Sequence, residues 1–153
     1  MESVIINSYL MYNILLIPII AGTIAQLAKL FIPSNHYKWN WRSLVAYSGM
    51  PSMHSAIVVS LATIMGLEQG FYSPSFTLSF FLAIFIIRDA FGLRQYLGDQ
   101  GKVLNVLVRD LKEDDLLDRH YPRLLEKIGH TPAQVLAGAV IGLFVSLIGY
   151  YII

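Results

Sequence analysis

The chain's eleven lysines and arginines leave three long gaps, and those gaps restrict what it can fold into. None lies before Lys29, between Arg42 and Arg88, or after Lys127. The gaps hold four apolar runs. These are about Leu10 to Ile32, interrupted by Pro18; Pro51 to about Gly70, with an apolar centre at Ala56–Leu67; Pro74 to about Leu93; and Pro132 to Ile153. Each approaches the roughly 20 residues a helix needs to cross a bilayer. The second has the shortest uninterrupted apolar stretch. Hydrophobic residues make up 56% of the 153 and charged residues 14%, against about 45–50% and a quarter in soluble domains. That balance excludes disorder, a fibrous repeat and an ordinary soluble enzyme. A net charge of +1 gives no reason to expect nucleic acid. The absence of cysteine excludes disulfides, thiolate metal sites and cysteine nucleophiles.

The expected fold is all-α, a membrane-embedded bundle of four transmembrane helices with an added amphipathic cytoplasmic helix, forming one domain over 1–153. The first run has neither the basic start nor the small-residue cleavage site of a secretory signal, so it reads as a retained helix. With four spans, the connections 33–50 and 94–131 share one side, and every Lys and Arg lies in or beside them. The positive-inside rule makes that side cytoplasmic. Both termini and the short turn at 70–74 then lie outside, and a cell inner membrane is the expected location.

Local punctuation agrees. Ser73-Pro74 and Thr131-Pro132 set a cap residue before a first-turn proline. Thr131 and Gln134 match a capping box. Pro51 is expected to open the second helix in the same manner. Gly138, Gly142 and Ser146 share a face of the last helix, and Ala21 and Ala25 repeat the spacing on the first; small residues let membrane helices approach closely. Over about 100–118, Val103, Leu104, Leu107, Val108 and Leu111 recur at helical spacing with Lys102, Asn105, Arg109 and Lys112 largely on other faces. This is the amphipathic helix, and Glu113, Asp114, Asp115 and Asp118 form its acidic end.

Topology assigns residues distant in sequence to one membrane depth. Lys29 ends run one, His54 starts run two, Arg88, Asp89 and Arg94 end run three, and His130 precedes run four. Helix N-termini near Pro51 and Pro132 offer unpaired N–H groups to an anion. Arg94 and Lys29 add charge, and two imidazoles supply a nucleophile and an acid/base near neutral pH. Together they suit phosphoryl chemistry on a lipid head group.

The residues Gly49-Met50-Pro51-Ser52-Met53-His54-Ser55-Ala56, Arg88-Asp89-Ala90-Phe91-Gly92-Leu93-Arg94, Leu104-Asn105 and Gly129-His130-Thr131-Pro132-Ala133-Gln134 resemble the divergent branch of the type-2 phosphatidic acid phosphatase family. The resemblance implies that His54, in a Pro-Ser-x-His motif, protonates the leaving oxygen, that Ser52 contacts phosphate, and that His130 is the nucleophile. It departs from the better-known family at Gln134, where an Asp would stand, and at Leu124, where an Arg would stand, although Arg123 and Lys127 flank that position. Arg94 and Lys29 are the expected phosphate clamp and Asp89 a substitute acid; Lys102 and Asn105 complete the substrate-binding set. The expected activity is a lipid phosphate phosphatase acting on phosphatidylglycerophosphate, phosphatidate or an isoprenyl phosphate through a phosphohistidine. No metal is required by this scheme. The alternatives are a non-catalytic binder of anionic lipid head groups and, ranked last, a Mg²⁺-dependent enzyme using Asp89 with Glu68 or the acidic end. Expected partners are the bilayer and the lipid phosphate, with a homo-oligomer left open.

Overall fold

A computed structural model describes residues 2–35, 49–110, 124, 126 and 128–152. Among the described residues five helices follow one another: α1 (Glu2–Phe31), α2 (Met53–Gln69), α3 (Pro74–Phe91), α4 (Leu93–Asp110) and α5 (Pro132–Ile152), with a 3-10 turn at Pro33–Asn35 after α1. No strand occurs among the described residues. The acidic end at Glu113, Asp114, Asp115 and Asp118 lies outside them, as do Lys38, Arg42, Lys112, Arg119, Arg123 and Lys127.

Capping sets the starts. Ser73 accepts the Phe76 N–H at 3.1 Å and Pro74 follows in the first turn of α3. At α5, Thr131 N–H donates to Gln134 Oε1 at 3.0 Å and Gln134 N–H donates to Thr131 Oγ1 at 3.4 Å, which is the expected capping box. Two expectations are corrected. Pro51 does not open α2: the cap is Ser52, whose hydroxyl accepts the Ser55 N–H, and Pro51 stands before it on a cis peptide. Pro18 does not interrupt the first run, since α1 continues through it; a proline removes one donor, a loss a long helix beside packed neighbours tolerates.

The amphipathic helix also begins earlier than expected. Only Gly92 separates α3 from α4, and its carbonyl accepts the N–H groups of Gln95 and Tyr96 at 3.1 and 3.2 Å, starting the new helix at once. Gly98 and Gly101 within α4 are buried. A Cβ on Gly98 would stand 2.6 Å from the Glu126 carbonyl oxygen, so this helix is built with glycine where the returning chain crosses it.

Helices α1 and α3 run one way and α2 and α5 the other. Asn13 Nδ2 donates to Glu68 Oε1 at 3.4 Å, near the end of α2, while Gly22 abuts Ile57 and Met53 near its start. Along α2 and α5 the register advances together. A Cβ on Gly138 would strike the Ser52 carbonyl, and one on Gly142 the Ala56 carbonyl. One turn on, Ser60 Oγ and Ser146 Oγ are 2.7 Å apart, and Ser146 Oγ also donates to the Ser60 carbonyl at 3.0 Å. The two helices are therefore parallel and close, as small residues at four-residue spacing permit.

The polarity of the bundle is inverted relative to a soluble domain. Its interior is small and partly polar: Ala21, Ala25, Ser55, Ala56, Ser60 and Ser146 are fully buried. Its outside carries Ile19, Ile24, Leu82, Phe85, Leu136 and Phe144, all exposed. Water would penalise that surface and lipid does not. Tyr12–Phe31, the stretch beginning at Pro74 that contains α3, and Pro132–Ile152 are long and apolar enough to cross a membrane. Helix α2, at 17 residues, reaches about 25 Å at 1.5 Å per residue. The chain is thus a helical integral membrane protein whose described residues include three helices of clear spanning character and a shorter one among them, packed against α1, α3 and α5.

Candidate functional site

Four helix ends are tied together by hydrogen bonds at one end of the bundle. Ser52 N–H donates to the Gln134 carbonyl at 2.9 Å, joining the start of α2 to the first turn of α5. His130 N–H donates to the Ala90 carbonyl at 2.9 Å, joining the approach to α5 to the end of α3. Asn35 adds the third link. Its Nδ2 donates to the carbonyls of Lys29 and Met50 at 2.9 and 2.7 Å, and its Oδ1 accepts the Met50 N–H at 2.8 Å, so the end of α1 is fixed to the entry of α2. Buried backbone groups cost heavily when unpaired, and here their pairing also sets the site. Asn35 was not among the expected residues; its position after a proline-initiated turn gives no sign of a partner fifteen residues away.

Onto this frame the structure brings Lys29, His54, Asp89, Arg94 and His130. Lys29, in the last turn of α1, is 2% exposed and His130 is 3% exposed. His54, in the first turn of α2, is half-buried and within electrostatic reach of Arg94, Lys29 and Asp89. Arg94 Nε donates to Asp89 Oδ2 at 2.6 Å, with both side chains about a third exposed. This pair is more open to the outside than the buried Lys29 and His130. Because only Nε is committed to Asp89, the two terminal nitrogens of Arg94 are left to meet an anion.

His130 is held by its own helix start. Its Nδ1 lies 3.3 Å from Gln134 Oε1, and that oxygen already accepts the Thr131 N–H. An oxygen so used is an acceptor, so Nδ1 carries the proton and Nε2 the lone pair. Burial pushes the imidazole below its ordinary range; the bond to Gln134 pushes it partly back up, and the charges of Lys29, His54 and Arg94 push it down again. A neutral imidazole with a free Nε2 is a competent nucleophile. The same couplings place His54 and His130 in one field with the two cations.

Three expected residues have other roles here. Ser52 is fully buried, and its hydroxyl accepts from Ser55 N–H and Ser55 Oγ, at 3.4 and 3.0 Å. It positions the helix start carrying His54 instead of facing open space. Asn105 sits about 16 Å along α4 from Arg94 at helical rise. Its amide grips Leu124, donating to the carbonyl and accepting the N–H at 2.9 Å each, and Nδ2 also meets Glu126 Oε1. Lys102 is exposed and pairs with Asp99 at 2.9 Å. Neither α4 residue joins the histidines: the first secures the returning chain, the second the helix surface. Glu68 lies near the far end of α2 with Asn13, about 21 Å of helix from His54, so it does not combine with Asp89. Among the described residues no three His, Asp or Glu side chains gather as a metal site would need.

These features define a helical integral membrane protein with a partly buried histidine–cation cluster at one end of the bundle. The chain matches the family model for the divergent PAP2 family over residues 10–145. It is also 34% identical over 123 residues to the uncharacterized membrane protein YuiD of Bacillus subtilis (strain 168), a match covering 74% of this chain and 78% of that protein. The chain belongs to the divergent PAP2 family. No solved structure matches it.

Proposed function

We propose that the protein is a membrane-embedded lipid phosphate phosphatase, hydrolysing a phosphomonoester or diphosphate of a lipid of the phosphatidylglycerophosphate, phosphatidate or isoprenyl type. The observation that carries this reading is the meeting of His54, His130, Lys29 and Arg94 at one end of a lipid-facing bundle. His130 Nε2 attacks phosphorus while the bond to the lipid oxygen breaks. His54 delivers its proton to that oxygen, and the alcohol leaves. Arg94 and Lys29 offset charge on the equatorial oxygens. His54, now neutral, takes a proton from water as it attacks the phosphohistidine, releasing phosphate and restoring His130. In this reading α2 is a fourth span, both termini are extracytoplasmic and the site opens on the cytoplasmic face of the inner membrane.

Phosphate release from these lipids by purified protein in detergent tests the proposal. His54→Ala and His130→Ala should each lower turnover at least about 10²-fold. Unchanged turnover in both removes the assigned roles. The 3% exposure of His130 favours a second reading, a non-catalytic binder of anionic head groups. That reading expects retention of anionic lipid with no phosphate released, with or without Mg²⁺.

A further inference from the structure

A lateral groove of about 720 Å³ lies between the last turns of α3 and the first turns of α4, lined chiefly by Ile84, Ile87, Arg88, Gln95, Tyr96 and Asp99. It is separate from the histidine cluster, none of whose members lines it. The two share a wall: a Cβ on Gly129, the residue before His130, would stand 2.9 Å from Gln95 Cα. The groove is graded along its length. Ile84 and Ile87 form its lower part, and Phe80 and Phe81, one turn earlier on the same face of α3, continue it down the exposed apolar side of the helix. Arg88, in the last turn of α3, lines the end of the groove nearest the start of α4, which contributes Gln95 and Tyr96 to the lining.

The charges at that end are unevenly matched. Asp99 is paired with Lys102 and Asp89 with Arg94. Arg88 is exposed and makes no hydrogen bond or ion pair with a described residue. A cation at the end of an apolar channel, level with the end of a spanning helix, complements one kind of molecule: an amphiphile with an anionic head and a hydrocarbon tail. The volume falls in the range of about 300–1,000 Å³ usual for small-ligand sites, and tyrosine favours the head-group layer. We propose that this groove binds an anionic phospholipid of the surrounding bilayer, its phosphate on Arg88 and its acyl chain along Ile87, Ile84 and Phe81. The lipid enters sideways from the membrane and rests against the wall that carries Gly129. This site does not depend on the chain being a phosphatase.

Native mass spectrometry of the full chain, taken from detergent micelles containing equal phosphatidylglycerol and phosphatidylcholine, tests the assignment. The wild type should retain one phosphatidylglycerol in preference to phosphatidylcholine. Arg88→Gln should lower that retention about tenfold, the scale of one charge-assisted hydrogen bond, and Arg88→Lys should restore most of it. Ile84→Trp, which fills the apolar half, should lower it with Arg88 intact. His54→Ala should leave retention unchanged, whether or not phosphate release survives. Equal retention of both lipids, wild-type retention in Arg88→Gln, or a matching loss in His54→Ala would overturn the proposal. Circular dichroism on each variant separates loss of the lipid from loss of the fold.

Discussion

Burial, opposed in part by Gln134, sets how His130 titrates. The Gln134 amide oxygen accepts from Nδ1 without adding charge, so burial keeps the imidazole below its ordinary range. Folded His130 therefore stays neutral as pH falls through about 6.5, where an unfolded chain takes up the proton. The sign follows: its stabilising contribution is complete above pH 6.5 and is lost as pH falls through the lowered folded value. Gln134→Glu puts a carboxylate at the same reach, which favours the imidazolium and should raise the His130 midpoint by about one unit or more. Ring-labelled NMR titration of wild type and variant measures it directly. If His130 is the nucleophile, the acid limb of kcat/KM should move up by the same amount, since the variant must lose its proton before attacking. A midpoint that did not rise would mean that Gln134 and His130 are not coupled as the hydrogen bond implies. Two residue assignments were open to the sequence because they are local: Thr131 with Gln134 as a reciprocal cap, and His54 in a first turn. Ser52 was expected to contact phosphate, with Pro51 opening the helix, and its capping of α2 came from the structure. Its burial against the chain of α5 depends on contacts that spacing does not encode. Asn35 and Asn105 were less legible still, because each takes its meaning from a segment distant in sequence.

At the scale of elements the seam between α2 and α5 carries the site. Gly138 and Gly142 let the α5 backbone lie against the carbonyls of Ser52 and Ala56, which is what brings Gln134 and Ser52 into hydrogen-bonding distance. Ser146→Ala removes one interhelical hydroxyl bond and should cost about 0.6 kcal/mol, at most about 1.7. Gly142→Leu is a different kind of change. Its Cβ meets backbone, which cannot rotate away, and the helices must separate; a cost above about 3 kcal/mol is expected, beyond ordinary overpacking. Thermal unfolding in detergent should show a small drop in Tm for the first and loss of a cooperative transition for the second. Comparable, small effects would mean that the seam is loose. The small-residue spacing that makes this seam was visible in the sequence, since 138, 142 and 146 repeat at four. The start of α4 was not. At least Gly98 is needed in it because Glu126 crosses the helix there, an approach that spacing along the chain does not encode.

For the whole molecule, the proposal that α2 is a fourth span rests on its packing more than on its length. Its 17 residues and partly polar interior side would be marginal for an isolated span. Inside the bundle that argument weakens. Ser55 and Ser60 face packed neighbours and not lipid, and α1, α3 and α5 supply the apolar exterior around it. Its direction is opposed to α1 and α3, as consecutive spans require. The protein has no cysteine, so single engineered thiols report sidedness without background. Tyr72→Cys, at a fully exposed position in the turn between α2 and α3, should react with an impermeant maleimide from outside intact cells. Lys38→Cys, in the connection before α2, should react only after the membrane is opened. Were α2 not a span, the two positions would label from the same side, and the alternation that gathers every Lys and Arg on one face would fail with it. Reversed labelling would keep the four spans and move the histidine cluster to the outer face, where it would act on a different pool of lipid.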